Sequence, residues 1–380
     1  MKFIHTADWH LGKLVHGIYM TEEQRYVLER FVELVEEEKP DAVVIAGDLY
    51  DRSVPPTEAV ELLDETLYKI NVDLNTPIVA ISGNHDSAER LSFGSSWYKH
   101  SGFHLKGKLT DDFTPVTING VNFHCVPYCE PGTVKHQLKD ERITSHHTAM
   151  EAIVSRIKEN LGDGPNVLVG HAFVLGGQTT DSERILSVGG SGCVGAELFD
   201  AFDYTALGHL HSPDAIKHDK IRYSGSLMKY SFSEAAQRKC VTIVEMDRDG
   251  EFQLKEKILK PRNDMRELEG YLDEILDPAF YTEQEVGDYL KITLRDQGAL
   301  IDPINKLRQV YPNVLHLERK IERTDEKKKQ LVRLQQHKQT SGIDLFKDFY
   351  NEMTSSEFTQ EKEVLIQKVL EKATKEVEAR

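Results

Sequence analysis

Cysteine is scarce in this 380-residue chain. Its four residues, Cys125, Cys129, Cys193 and Cys240, form neither a disulfide framework nor a paired zinc motif. Such usage implies free thiols in a reducing compartment. No run of about 18 apolar residues is available for a membrane span. The first residues enter a strand-like run without the charged segment, apolar core and cleavage site of a signal peptide, so a cytoplasmic protein is expected. Positive charge is short too: 47 Lys and Arg face 63 Asp and Glu, a net charge of -16. Any basic surface for a polyanion must therefore be local.

What the chain does have is a series of ligand-type residues, each placed after a short apolar run. Asp8 and His10 follow Phe3 to Thr6; Gly47-Asp48 follows Ala42 to Ala46; Gly83-Asn84-His85-Asp86 follows Ile78 to Ile81. Gly170-His171 follows Val167 to Val169, and Gly208-His209-Leu210-His211 follows Tyr204 to Leu207. Runs of that length flanked by glycine read as buried strands whose ends carry polar groups. Any one fragment could be an ordinary turn with a satisfied side chain; five in this order are specific. The donors are carboxylates, an amide and imidazoles, with no thiolate, which suits manganese, iron or zinc. In an open α/β sheet the carboxyl ends of neighbouring strands converge on one crevice. Seven candidate ligands exceed the needs of one ion. Two ions about 3.5–4 Å apart can share a bridging carboxylate and serve phosphoryl displacement.

The order Asp-x-His, Gly-Asp, Gly-Asn-His-Asp, Gly-His, Gly-His-x-His resembles the calcineurin-like metallophosphoesterase superfamily. Thr6-Ala-Asp-Trp-His-Leu-Gly12, Ala46-Gly-Asp-Leu-Tyr-Asp-Arg52, Ser182-Glu-Arg-Ile-Leu-Ser-Val-Gly-Gly190 and the stretch Tyr223 to Glu234 are similar to the SbcD family of bacterial nuclease subunits within it. The resemblance implies one metal held by Asp8, His10, Asp48 and His211, and a second by Asp48, Asn84, His171 and His209, with manganese the expected ion. It leaves His85 for work on the leaving group or a phosphate oxygen. It also implies DNA as substrate, 3′–5′ double-strand exonuclease and single-strand or hairpin endonuclease activity, the SbcC ATPase as partner, and a homodimer formed through helices near Thr57 to Ile70 and Ser87 to Lys99. Asp86 has two readings, orienting the His85 ring or capping the helix that starts with Ser87-Ala-Glu-Arg. One departure is Asp51, which stands where archaeal and eukaryotic relatives carry a second histidine. A metallophosphatase, a cyclic-nucleotide phosphodiesterase or a non-catalytic scaffold could use the same fold, since fold and ligands do not choose a substrate.

Helical stretches at Thr21 to Glu38 and Thr57 to Ile70 alternate with the first strands, as in a layered α/β fold. Thr117 to Phe123 is a hairpin turning at Asn119-Gly120, and strands at Lys220 to Ser224, Cys240 to Met246 and Glu251 to Ile258 follow. The expectation is a two-sheet core over 1–260 flanked by helices. Beyond it, a helix near Met265 to Leu276, a strand Asp288 to Leu294, a helix Asp302 to Tyr311 and a strand Val314 to Glu318 form a small α/β capping domain over 261–320. That domain reads either as a DNA-positioning element or as a structural addition. A charged linker over 321–340 precedes a helical tail, 341–380. In the tail Ile343, Leu345, Phe346, Phe349, Tyr350 and Met353, then Val364, Leu365, Val369 and Leu370, fall at helical spacing. It reads as a helix-in-groove docking element, with packing back on this chain as the alternative; the resemblance favours docking on SbcC. Near the cleft, Arg52, Arg90 and Lys229 either offset phosphate charge or are ordinary solvated surface.

Overall fold

The computed structural model describes residues 1–183, 192–320 and, in the tail, 343, 346–347, 350–351, 354 and 358–378. Its apolar runs build two sheets. The first has six strands in the order Phe252–Ile258, Cys240–Met246, Lys2–Thr6, Ala42–Ala46, Ile78–Ile81, Phe103–Lys106. From Lys2–Thr6 onward the neighbours are parallel, while Cys240–Met246 pairs antiparallel on both sides. The second sheet runs Ile221–Tyr223, Tyr204–Gly208, Asn166–His171, Val121–Val126, Val116–Ile118, parallel except for the last pair. That pair is the expected hairpin. Asn119 and Gly120 both take positive φ, 47° and 84°, the twist a two-residue hairpin turn requires.

The two sheets face each other across an apolar core. Phe3, Val44, Val79 and Ile81 from one and Phe123, Val167, Val169 and Tyr204 from the other are wholly buried there. The Phe3 ring meets Phe123 and Tyr204 edge-on at 5.4 and 5.8 Å. Burying each such side chain contributes about 1.5–3 kcal/mol. Helices cover the outside. Thr21–Glu38 buries Val27, Leu28, Phe31, Leu34 and Val35 on one stripe, with Trp9 edge-on to Phe31 at 5.7 Å. His146–Lys158, opened by a Ser145–Thr148 capping box, buries Met150, Ile153, Val154 and Ile157 in a cluster with Leu168, Leu207 and Phe202. Because both faces of the sheets are covered, strands such as Ala42–Ala46 are buried at every position rather than alternately.

The expected helix at Ser87 to Lys99 is broken. Ala88–Leu91 and Ser95–Tyr98 are separate short helices, because Gly94 between them has φ 77°, outside the helical region. The helix Thr57–Tyr68 runs on into a wider turn, Lys69–Asp73.

Clustering of contacts divides the chain into two compact units, Met1–Arg266 and Glu267–Arg380. A three-stranded sheet, Met265–Gly270, Tyr289–Leu294, Val314–Arg319, takes the place of the strand–helix–strand arrangement expected there with a leading helix. Met265 to Gly270 is a strand, and only Leu272–Ile275 is helical. Its burial runs inside at Met265, outside at Glu267 and Glu269 and inside again at Gly270, closer to the period of a strand than of a helix. The helix Pro303–Val310 buries Leu307, and Leu307 and Tyr311 pack with Leu290, Ile292 and Leu294. In the tail, Phe358 is buried against the Phe346 and Tyr350 rings at 6.0 and 5.3 Å. The helix Gln360–Glu378 exposes Val364, Leu365 and Val369. Leu345, Phe349, Met353, the Leu370 side chain and the charged linker over 321–340 lie outside the described residues. Among the described residues no helix is long and apolar enough to cross a membrane, and all four cysteines are free.

Candidate metal centre

The ligand-type residues sit at or just beyond the carboxyl ends of five strands, three in the first sheet and two in the second. Main-chain bonds hold the first two loops side by side: Asp8 N–H donates to Gly47 O at 3.1 Å and His10 N–H to Asp48 O at 3.0 Å. Asp8, His10, Asp48 and His209 all have positive φ, 53°, 46°, 52° and 103°. Non-glycine residues adopt that region at a cost and cluster there at functional sites. Glycine at 208 is required for space, since a Cβ there would lie 2.9 Å from His171 Nδ1 and collide with the Ala46 carbonyl.

The side chains converge into a chain of contacts. His10 Nε2 lies 3.0 Å from His211 Nε2 and 3.7 Å from Asp48 Oδ2. Asp48 Oδ2 is 3.3 Å from His171 Nε2. The Asn84 Oδ1 sits 2.9 Å from His171 Nε2 and 3.0 Å from His209 Nδ1. Asp8 Oδ1 is 4.0 Å from His171 Nδ1 and accepts the His209 N–H at 3.0 Å. Among the described residues, three donor groups are compact enough to hold a cation: Asp8 with His10 and His211, Asp8 with Asp48 and His171, and His10 with Asp51 and His85. All seven sequence-read donors are thus brought together, with Asp48 central.

Burial governs the charges. It pushes Asp8 well above the carboxylate range, and pulls His10, His209 and His211 below the usual imidazole value. For Asp48, burial is outweighed by the charge and hydrogen bond of His171, which hold it well below the usual range. For His171, the downward pull of burial is outweighed by Asp48 and Asp8, and it rises to about 9. Carboxylates and imidazoles therefore stabilise one another here much as a cation and its ligands do.

His85 and Asp86 lie beside this cluster. The His85 ring is 4.6 Å from that of His10, centroid to centroid. Its main-chain N–H donates to Asp48 Oδ1 at 2.8 Å, and its Nδ1 lies 2.8 Å from Asp51 O. Asp86 takes a different part from either reading of the sequence. Its carboxylate accepts the N–H groups of Leu49, Tyr50 and Gly83 at 3.1, 2.9 and 2.9 Å. It braces two ligand loops, while Ser87 caps the helix and Asp51 O orients the His85 ring. Desolvation, with the Asp48 carboxylate beside it, raises half-buried Asp86 to about 7. Asp51 also binds Lys13 Nζ at 2.8 Å and faces His10 Nδ1 at 3.6 Å.

Some supports were not legible in the motifs. Gln24 donates to Trp9 O and His10 O at 3.2 and 2.7 Å and accepts Gly12 N–H at 3.0 Å. Tyr230 Oη donates to Trp9 O at 2.5 Å. The one signal for Gln24 is a polar residue on the stripe that carries Val27, Leu28 and Phe31. Lys229 is committed internally, to Asp264 at 2.9 Å and to the Ala235 and Met265 carbonyls, so it is not open to phosphate. Arg52 and Arg90 are exposed.

The donors fit divalent metal. His10 Nδ1 and Asn84 Nδ2 are buried without a hydrogen-bond partner. Ring nitrogens of two imidazoles meet at 3.0 Å, and one amide oxygen faces two more ring nitrogens. Such convergence repels unless a proton or a cation lies between the atoms. Oxygen and nitrogen donors without thiolate favour manganese, iron or zinc.

A family model described as calcineurin-like phosphoesterase matches residues 1–213. A second, SbcD_C, described as Type 5 capsule protein repressor C-terminal domain, matches residues 261–354. Similar solved structures include the Thermus thermophilus protein TT1561, 12% identical, covering 67% of this chain and 98% of its own, with a TM-score of 0.38. A dimetal phosphatase from Danio rerio, LOC 393393, is 11% identical over 68% of this chain and 96% of its own, TM-score 0.40. Yfce, a phosphoesterase from E. coli, is 15% identical over 68% and 100%, TM-score 0.27.

Proposed function

Since the chain belongs to the calcineurin-like phosphoesterase family and carries an SbcD-type C-terminal domain, we propose that it is the nuclease subunit of an SbcC–SbcD complex. It hydrolyses DNA phosphodiester bonds as a 3′–5′ double-strand exonuclease and a single-strand or hairpin endonuclease, processing ends in recombination and repair in the cytoplasm. The observation that carries the reading is the convergence of Asp8, His10, Asp48, Asn84, His171, His209 and His211 on one cluster centred on Asp48.

One ion is assigned to Asp8, His10, Asp48 and His211, the other to Asp48, Asn84, His171 and His209, with manganese as the proposed metal. When bound, the ions supply Lewis-acid stabilisation of the phosphate oxygens and activate water as the nucleophile. His85 supplies the proton chemistry. With Nδ1 donating to Asp51 O, its Nε2 is left to exchange a proton with a phosphate or leaving-group oxygen, a task an imidazole suits near neutral pH. Asp86 holds the loops of Leu49, Tyr50 and Gly83 in register behind it.

Three further surfaces complete the proposal. The segment 261–320 positions DNA, and a linker over 321–340 leads to the tail, 341–380, which docks on SbcC through a face that includes Val364, Leu365 and Val369. A second copy of the chain covers the apolar residues Val60, Tyr68, Val72, Phe93 and Trp97, all exposed on the Thr57–Tyr68 helix, the Lys69–Asp73 turn and the Ala88–Tyr98 region. Isolated exposed apolar residues are ordinary, but a contiguous group marks an interface.

A substrate panel with manganese tests the reading: linear duplex, single-stranded and hairpin DNA, a phosphomonoester dye and cyclic nucleotides. Cleavage of the DNA substrates with little turnover of the dye or cyclic nucleotides is expected. Turnover confined to the small phosphoesters contradicts it.

A further inference from the structure

We propose that Ser182 and Glu234 are positioning residues for His211: they fix its tautomer and aim its Nε2 at the metal centre. The proposal rests on the metal assignment above and adds two residues outside the ligand set. Ser182 Oγ lies 2.6 Å from His211 Nδ1 and is hydrogen-bonded on its other side to Glu234 Oε1. The second Glu234 oxygen binds Lys239 Nζ at 2.6 Å and the Tyr230 N–H at 3.3 Å. Lys239 Nζ in turn donates to the carbonyl of His211 itself, at 2.8 Å. Glu183, next to Ser182, accepts the His211 N–H at 2.7 Å. His211 is therefore gripped at its ring, its N–H and its carbonyl by groups from two separate stretches of chain.

Counting protons along this relay gives the direction of each bond. An ammonium has donors only and an ionised carboxylate acceptors only, so Lys239 donates to Glu234 and Glu234 cannot donate to Ser182. The hydroxyl must give its one proton to Glu234. Its oxygen is then an acceptor towards His211, which requires the proton of that imidazole to be on Nδ1. Nε2 is left with a lone pair, and it is this atom that faces His10 Nε2 at 3.0 Å. A ligating imidazole needs this division of labour, one nitrogen held and the other free.

Burial isolates both ends of the relay. Glu234 is 0% exposed and His211 1%, so each depends on protein partners, with half-buried Ser182 as the link between them. The comparison with His171 sharpens the point. Its Nδ1 is held by the Ala46 main-chain carbonyl at 2.9 Å, which no substitution removes. Of these two histidines, His211 is the one whose ring is oriented by a replaceable side chain. Loss of the relay is therefore expected to weaken one metal site and spare the other.

The test uses the full chain as wild type, Ser182→Ala and Ser182→Thr. Proton–nitrogen correlation spectra of histidine-labelled, metal-free protein report the His211 tautomer, assigned by its loss in His211→Gln, and manganese titration reports the two affinities. Wild type is expected to carry the proton on Nδ1. Ser182→Ala is expected to lose that preference and to bind one manganese about 10–100-fold more weakly, with the other within about twofold, and Ser182→Thr, which keeps the hydroxyl, to restore both. An unchanged tautomer in Ser182→Ala, or unchanged affinity at both sites, overturns the proposal. Wild-type protein that takes up no manganese contradicts the functional reading instead, and the tautomer of the metal-free protein still decides whether the relay exists.

Discussion

Gly83 packs so tightly on Asp48 that a methyl group on its α-carbon would lie 2.6 Å from the Asp48 carboxyl carbon and closer still to its main-chain nitrogen. Nothing larger than glycine fits without moving the residue assigned to bridge both ions. Gly83→Ala is expected to destabilise the protein by about 1–3 kcal/mol, as overpacking does, and to cut manganese stoichiometry below two. Metal analysis of the purified variant and its unfolding curve check this. A variant with wild-type metal content would show that Asp48 is not fixed by this contact.

Dimerisation is expected to depend on the apolar face around the Thr57–Tyr68 helix. Val60 and Phe93 are 43% and 73% exposed, so charging them costs the folded monomer little. Val60→Asp combined with Phe93→Asp is expected to raise the dimer dissociation constant at least about tenfold, or about 1.4 kcal/mol, in sedimentation analysis. An unchanged dimer, or a monomeric wild type, contradicts the assignment.

A chain ending near Thr340 is expected to keep manganese-dependent cleavage of single-stranded DNA and to lose SbcC in a pull-down. The exposed Val364, Leu365 and Val369 leave with it. Undiminished capture of SbcC by the shortened chain places the docking element elsewhere.

Acid sensitivity has a defined local source at Glu38. Hydrogen bonds from Lys255 and Lys257, each 3.1 Å away, hold its carboxyl down to about 2 from an ordinary 4.5, against the upward pull of burial. A depressed carboxylate contributes stability that is complete above its unfolded value and is lost as pH falls through its folded one. Glu38→Gln is therefore expected to cost about 1 kcal/mol at pH 7, and the gap to wild type should narrow between pH 4.5 and 2. Urea unfolding across that range measures it; a gap independent of pH contradicts the ion pairs.

The strands and their polar ends were readable because both signals are local: an apolar run of three to five residues, then a ligand type, preceded by glycine everywhere but at Asp8. The Asn119-Gly120 hairpin was readable for the same reason. Met265 to Leu276 was not, since a stretch such as Arg-Glu-Leu-Glu suits a helix face as well as an edge strand, and only pairing with Tyr289–Leu294 settles it. Gln24 and Lys239 escaped notice for a different cause. Each is a single polar residue with a partner distant in sequence, 206 positions away for Gln24 and Tyr230 and 28 for Lys239 and His211, and no spacing rule reaches that far. Asp86 was found as a motif member, but its three main-chain partners come from loops that only the fold brings together.

The central claim is a division of labour in which Asp48 holds metal and His85 moves protons. Manganese content and DNA cleavage measured on Asp48→Ala and His85→Gln test it most directly. Asp48→Ala is expected to lose metal and activity together, whereas His85→Gln should retain nearly two ions per chain while hydrolysis falls about 10²–10⁴-fold, the usual worth of a general acid or base. Full cleavage by either variant, or loss of metal from His85→Gln, contradicts the account.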